Sequence, residues 1–222
     1  MRRALTLLGA AVVFASPALA QDAAKVDAKH YKVVAENERV RVLAANVEAG
    51  DKGVMHEHPA NFVVFVTDAK VRFTLGDGTT TPEATRKAGD VMAGEAVKHK
   101  PENLGGAFKA YVIEVKPGAP APAPVPGAVP APSGPKMSRT PIVSGPHGEA
   151  VRTKLEAGYE EPAGSKHEYD AVVVPMTETG STLTRDGKTV TMKKGEAYLI
   201  SRGVAHSVKA TAAGESVVVF IK

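Results

Sequence analysis

Short apolar stretches rich in valine and aromatic residues recur along the chain, and they predict β-strands rather than helices. Clear examples are RVRVLAANV, NFVVFVT and AYVIEV in the first half, and DAVVVPM and SVVVFI in the second. LGDGT and RDGKT place an Asp-Gly pair between alternating strands, which is typical of a hairpin turn. The pattern predicts an all-β sandwich or barrel in each half.

The strand pattern is interrupted at residues 117–135, where the sequence reads PGAPAPAPVPGAVPAPSGP. This segment has no charged residue and cannot bury a core, so its composition favours an extended Pro/Ala-rich linker. The linker separates an N-terminal domain at residues 21–116 from a C-terminal domain at residues 136–222. Each of these is long enough to close a small core of its own.

Residues 1–20 have the pattern of an export signal. Arg2 and Arg3 precede the apolar run ALTLLGAAVVFA, and Ala18-Leu19-Ala20 has the small-residue spacing that signal peptidases cut. We therefore expect a soluble mature protein in the bacterial periplasm or outside the cell, with no membrane partner after signal cleavage. The choice between the general and the twin-arginine export route stays open.

Composition excludes several other classes of function. The sequence contains no cysteine, which rules out disulfides, thiolate metal ligands and a cysteine nucleophile. The formal net charge is +4, but the basic residues are scattered and few aromatic residues accompany them. The sequence therefore does not favour a nucleic-acid partner.

The two halves share landmarks at a nearly constant separation, which is typical of a duplicated module. His58 and His167 are separated by almost the same number of residues as His99 and His206. The glycines of the LGDGT and RDGKT turns follow the same spacing.

These landmarks, in this order, resemble the motifs of the cupin superfamily. The first motif of that family is a glycine, His-x-His and a glutamate, and the second is Gly-Asp, a short strand, a histidine and an asparagine. The first half offers Gly50, His56, His58, Gly89-Asp90, His99 and Asn103, and the second half offers Gly158, His167, Gly195-Glu196 and His206. The resemblance implies a bicupin, with two tandem double-stranded β-helix (jelly-roll) barrels that cover nearly all of the mature chain except the linker.

The chain departs from the family pattern at several positions. Phe62 stands where the family carries its glutamate ligand, and strand alternation predicts that the neighbouring Asn61 points to the opposite face. We expect Phe62 to make the cavity more apolar, which favours an organic ligand. In the second half, Ser165 replaces the first histidine and Ala171 stands in the glutamate position.

Three histidines in the first half form the candidate metal site. His56 and His58 are two positions apart on a strand, so their side chains face the same side, and a barrel could bring His99 opposite them. Ligation by nitrogen alone favours a transition metal ion (Fe, Zn, Ni, Cu or Mn) over Mg or Ca. The alternative is a decayed site in which the histidines are solvated residues at a strand end.

The second half is predicted to be a degenerate barrel. His167 and His206 could share a cavity, whereas Glu168 and Asp170 lie out of phase with His167 along the strand. The sequence favours a domain that stabilises the first barrel, pairs with it, or binds a ligand without metal.

The sequence leaves two classes of function open. The three-histidine members of the family include dioxygenases, so the resemblance implies a metal-dependent dioxygenase or isomerase that acts on a small organic molecule. The other class is a non-catalytic ligand-binding or scaffolding protein without metal, because a fold alone does not determine activity. The sequence identifies no catalytic residue, and the barrels could pair within one chain or in a homodimer.

Overall fold

The computed structural model describes residues 21–119, 123–129, 131, 134–178 and 180–222. Within these ranges the chain forms one short helix, α1 (Ala23–Val26), and eighteen strands in four antiparallel sheets, which confirms the all-β prediction. None of the described helical segments is long and apolar enough to cross a membrane. The predicted export signal lies outside the described residues.

The first nine strands belong to the N-terminal half. They are β1 (Tyr31–Glu36), β2 (Val40–Val47), β3 (His56–His58), β4 (Asn61–Phe65), β5 (Ala69–Leu75), β6 (Ala84–Arg86), β7 (Val91–Gly94), β8 (Val97–Asn103) and β9 (Phe108–Val115). A five-stranded sheet has the order β1-β2-β9-β4-β7, and a four-stranded sheet has the order β3-β8-β5-β6. Leu43, Phe65 and Val112 from the larger sheet pack with Val71 from the smaller one in the barrel core.

The other nine strands belong to the C-terminal half. They are β10 (Met137–Gly145), β11 (Gly148–Leu155), β12 (Tyr159–Glu160), β13 (Asp170–Pro175), β14 (Ser181–Arg185), β15 (Lys188–Thr191), β16 (Tyr198–Ile200), β17 (His206–Ala210) and β18 (Gly214–Ile221). Their sheets have the orders β10-β11-β18-β13-β16 and β12-β17-β14-β15. Each order repeats that of the first half with every strand number raised by nine, as expected of a duplicated module.

The RDGKT segment forms the hairpin that its sequence predicts. Asp186 and Gly187 connect β14 to β15, and both adopt positive φ angles, of 49° and 71°. A two-residue turn of this kind matches the right-handed twist of the strands that it joins, and the pair Asp-Gly tolerates the left-handed backbone.

The two five-stranded sheets pack against each other and form a core shared by both halves. The first half contributes Val40, Val42, Ala44, Phe62, Val64, Tyr111 and Ile113, and the second contributes Ala150, Val172, Val174, Leu199, Val217, Val219 and Ile221. At the edge of this core, Asn37 Nδ2 donates hydrogen bonds to Asp170 Oδ1 and Ser201 Oγ at 2.7 and 2.9 Å. The two barrels therefore pair within one chain.

Described residues of the predicted linker contact the C-terminal half, which their composition alone does not predict. The Val129 backbone N–H donates to the Lys166 carbonyl at 2.8 Å, and Arg202 Nη1 donates to the Ala123 carbonyl at 2.6 Å. The linker thus supplies backbone groups to the surface of the second barrel.

Candidate metal centre

The three predicted ligands of the first barrel lie together. His56 and His58 begin and end β3, and His56 is paired directly with His99 on the neighbouring strand β8. His56 is fully buried and His58 is 2% exposed. One ring nitrogen from each of the three histidines lies within 4.8 Å of the others.

Hydrogen bonds fix the orientation of two of these rings. His56 Nδ1 donates to the Val54 carbonyl at 2.9 Å, and His58 Nδ1 donates to Glu114 Oε1 at 2.7 Å. Because Nδ1 carries the proton in each ring, the lone pair is on Nε2 and is free for a ligand bond.

The separation of the ring nitrogens fits a shared metal ion. His56 Nε2 and His99 Nε2 are 3.1 Å apart. Two nitrogens about 2.1 Å from one ion are separated by about 3.0 Å at a right angle and by about 3.4 Å at a tetrahedral angle. The donor set and its spacing therefore suit a transition metal ion.

Burial keeps two of the imidazoles neutral, which is the form that binds metal. Burial, with the adjacent His58, lowers the pKa of His56 to about 4. Burial, with the adjacent His56 and His58, also lowers the pKa of His99 to about 3. Aromatic rings hold the imidazoles in place, since Phe73 stacks on His99 and the edge of Tyr31 contacts His56, each with ring centroids 4.8 Å apart.

Glu114 is a candidate functional side chain that the motif comparison missed. It is fully buried on β9, and besides contacting His58 it accepts a hydrogen bond from Arg41 Nε at 2.6 Å. A signal was present in AYVIEV, because alternation places Glu114 on the same face as Ala110 and Val112, inside the barrel. This carboxylate fixes the tautomer of His58 and increases the basicity of the ring.

The centre opens into an apolar cavity of about 410 Å³ inside the first barrel. His58 and His99 face it, and its walls include Tyr31, Val63, Phe65, Phe73, Leu75 and Phe108. No lysine or arginine among the described residues lines this cavity. Its volume and lining are those of a site for a small apolar molecule.

The predicted orientation of Phe62 is wrong. Phe62 is 2% exposed and packs in the core shared by the two halves, whereas Asn61 lines the cavity and donates from Nδ2 to the Pro59 carbonyl at 2.7 Å. The reason is the break between β3 and β4, where the chain passes from one sheet to the other. The alternation of side chains that begins at His56 does not continue across Pro59 and Ala60. The inward-facing positions of β4 therefore cannot be counted from those of β3.

In the second barrel, His167 and His206 share a small cavity, with ring centroids 5.0 Å apart. Glu168 accepts a hydrogen bond from the linker at Val125, and Asp170 lies at the junction of the two halves, so neither joins the histidines. The carboxylate beside them is Glu161, which the motif comparison did not identify.

No protein-family model matches the sequence, and no curated protein shows significant similarity to it. Solved structures do match. A salicylate 1,2-dioxygenase from Pseudaminobacter salicylatoxidans is 12% identical, with a TM-score of 0.64 over 88% of this chain and 77% of its own.

Two further structures agree with that match. A cupin 2 conserved barrel domain protein from Leptotrichia buccalis is 14% identical, with a TM-score of 0.58 over 86% of this chain and 88% of its own. An adduct of a salicylate 1,2-dioxygenase from Pseudoaminobacter salicylatoxidans with gentisate is 14% identical, with a TM-score of 0.60 over 84% and 70% of the two chains. At these identities the similarity concerns the fold, and the chain therefore has the cupin fold.

Proposed function

We propose that the protein is a metal-dependent dioxygenase that acts on a small organic molecule in its first barrel. The observation that carries this proposal is the convergence of three buried imidazoles at the wall of an apolar cavity of about 410 Å³. The structural similarity to salicylate 1,2-dioxygenases adds support for oxygen-dependent chemistry within this fold.

His56, His58 and His99 would hold the metal ion through their Nε2 atoms. A redox-active transition ion at this position would supply the activation of oxygen or of the bound organic molecule. The chain's own contribution is to present neutral ligands, to orient His58 through Glu114, and to exclude water with the apolar walls. Iron, copper, nickel and manganese are the candidates for a redox role, while zinc would suit an isomerase.

The cavity favours a neutral, apolar substrate. Salicylate and gentisate are carboxylates, but no cationic side chain lines this cavity to pair with such a group. A carboxylate in this cavity could pair only with the metal ion itself, and burying it elsewhere against the apolar walls is costly. Among the lining residues, the Asn61 amide and the Tyr31 hydroxyl are the neutral groups suited to contact a substrate hydroxyl or carbonyl.

The proposal is tested by oxygen uptake in metal-loaded protein with a panel of neutral aromatic compounds and size-matched carboxylates. We expect at least one neutral compound to support oxygen consumption, with carboxylates of the same size binding at least about tenfold more weakly. A His58→Asn variant should lose the uptake, whereas Glu57→Gln, which lies on the outer face of the same strand, should retain it.

Binding without turnover would instead favour the non-catalytic alternative, a ligand-binding barrel. Uptake that survives in the His58→Asn variant would contradict the proposed metal centre. Calorimetric binding measured on the same samples separates these outcomes.

We also propose that the protein is exported to the periplasm or secreted, on the basis of the basic pair Arg2-Arg3, the apolar run and the Ala-Leu-Ala site within residues 1–20. The mature chain should then begin at Gln21. N-terminal sequencing of protein from a fractionated bacterial host tests this, and an uncleaved cytoplasmic product would contradict it.

A further inference from the structure

We propose that the second barrel also holds a divalent transition metal ion, through a different donor set formed by Glu161, His167 and His206. Their ligand atoms lie within 4.8 Å of one another, and all three residues are buried. This inference does not depend on the activity proposed for the first barrel.

The strand register shows which ligand the second barrel has lost. In the first barrel, His56 is paired with His99 across β3 and β8. In the second barrel, Ser165 occupies the corresponding place and forms the bridge to His206. The His-x-His motif has therefore lost its first member, and the motif residues alone leave two ligands.

A carboxylate from another position supplies the third donor. The Glu161 backbone N–H donates to the Val208 carbonyl at 2.9 Å, just beyond the end of β12. The corresponding bond in the first barrel joins Gly53 to the Pro101 carbonyl, also at 2.9 Å. Gly53 has no side chain, so the carboxylate of Glu161 is a feature of the second barrel alone.

The hydrogen bonds of the two histidines favour a metal ion beside Glu161. His206 Nδ1 donates to the Val204 carbonyl at 2.9 Å, and His167 Nδ1 donates to the Val129 carbonyl at 3.0 Å. A carbonyl can only accept, so the proton of each neutral ring is on Nδ1 and the Nε2 lone pair faces the carboxylate. The Nε2 atoms lie 2.9 and 3.6 Å from the Glu161 oxygens, a contact that is repulsive for neutral rings and that a proton or a bound metal ion makes attractive.

Burial of the carboxylate also favours a metal ion. Glu161 is 2% exposed, and within the described part of the chain no lysine or arginine forms an ion pair with it. A buried carboxylate is stable only when it is paired or coordinates a metal. Two imidazoles and one carboxylate form a donor set that transition ions such as Fe²⁺ and Zn²⁺ bind.

Unpartnered polar atoms in the same cavity support a small polar occupant. Thr153 Oγ1 and the Tyr169 hydroxyl have no hydrogen-bond partner among the described residues, and both side chains line the cavity. Thr153 is 5% exposed. The cavity volume of about 70 Å³ leaves room for an ion with one or two small ligands, since a water molecule takes about 30 Å³ of liquid volume. The second site is thus too small for the organic substrate of the first.

The test is equilibrium titration of the metal-free full chain with Co²⁺, whose visible absorption reports its ligands, together with metal analysis after desalting. Wild-type protein should bind two equivalents, and a His56→Asn/His99→Asn variant should bind one. Adding Glu161→Gln to that variant should abolish the remaining equivalent. The matched control is Glu160→Gln, because Glu160 is an exposed neighbour that pairs with Lys209.

The outcomes separate the two sites. The inference is overturned if Glu161→Gln leaves the stoichiometry unchanged, or if folded His56→Asn/His99→Asn protein binds no ion. If only the first site fails to bind Co²⁺, wild-type protein will bind one equivalent, and Glu161→Gln will abolish that binding. If Glu161→Gln does not fold, His206→Asn provides the same test, and circular dichroism establishes which variants are folded.

Discussion

At the scale of single residues, the geometry of the proposed metal centre depends on what the Nδ1 atoms of its histidines contact. His58 is oriented by Glu114, which is itself held by Arg41, and Arg41 Nη1 is in turn 2.6 Å from Asp22 Oδ2. This chain of charged groups begins close to the solvent and ends at a buried imidazole. It fixes one tautomer of His58 before any ion is bound.

We expect Glu114→Gln to lower the metal affinity of the first barrel by about 10- to 100-fold, because the neutral amide orients His58 and increases its basicity less well. Competition with a chromogenic chelator measures the change. Glu57→Gln, which lies on the outer face of β3 beside Lys98, is the matched control. Equal affinities for the two variants would show that Glu114 has no role in metal binding.

The three candidate ligand histidines could be identified from the sequence, but the carboxylates beside the candidate sites could not. His56, His58 and His99 belong to short motifs with a fixed spacing. Glu114 belongs to a distant strand, and its role depends on the pairing of β9 with β4, which a single sequence does not contain. Glu161 lies outside both motifs and becomes adjacent to His206 only through the β12–β17 pair.

At the scale of elements, the break between β3 and β4 decides which side chains reach the cavity. Residues 59–60 carry the chain from the four-stranded sheet to the five-stranded sheet, so Asn61 faces inward and Phe62 faces the other half of the molecule. Strand type was predictable from the apolar pattern. Which side chains of β4 face the cavity was not predictable, because alternation is defined only within one continuous strand.

We expect Phe62→Ala to lower the free energy of unfolding by about 3–5 kcal/mol, because it leaves a void in the core between the sheets. Ligand binding in the first barrel should change little, since Phe62 does not line the cavity. Urea denaturation and ligand calorimetry on the same variant measure both effects. An unchanged stability with altered ligand affinity would place Phe62 in the cavity instead.

At the scale of the whole molecule, the duplicated barrels are joined through one shared apolar core. Both five-stranded sheets bury valines and other apolar side chains against each other, and Asn37 of the first half bonds to Asp170 and Ser201 of the second. A shared core couples the stability of the two barrels, so the molecule should unfold as one cooperative unit. The duplication was predictable from the repeated landmarks, whereas the face through which the halves pair required the structure.

We expect Asn37→Ala to lower the free energy of the single unfolding transition by about 1–3 kcal/mol, because a buried carboxylate and a hydroxyl lose a donor. Differential scanning calorimetry should give equal calorimetric and van't Hoff enthalpies for wild type and variant. Asn46→Ala, at an exposed position of β2, is the control. Two separate unfolding transitions, with Asn37→Ala shifting the midpoint of only one, would contradict the coupling between the barrels.

Metal binding in the first barrel is best tested by measuring the transition-metal content of protein purified without chelators, by mass spectrometry. A His99→Asn variant should hold one equivalent less than wild type, and His147→Asn, which removes a histidine outside both metal clusters, should hold the same amount as wild type. If His99→Asn is folded and retains the full metal content of wild type, or if wild type stays metal-free after reconstitution, the first barrel is not a metal centre.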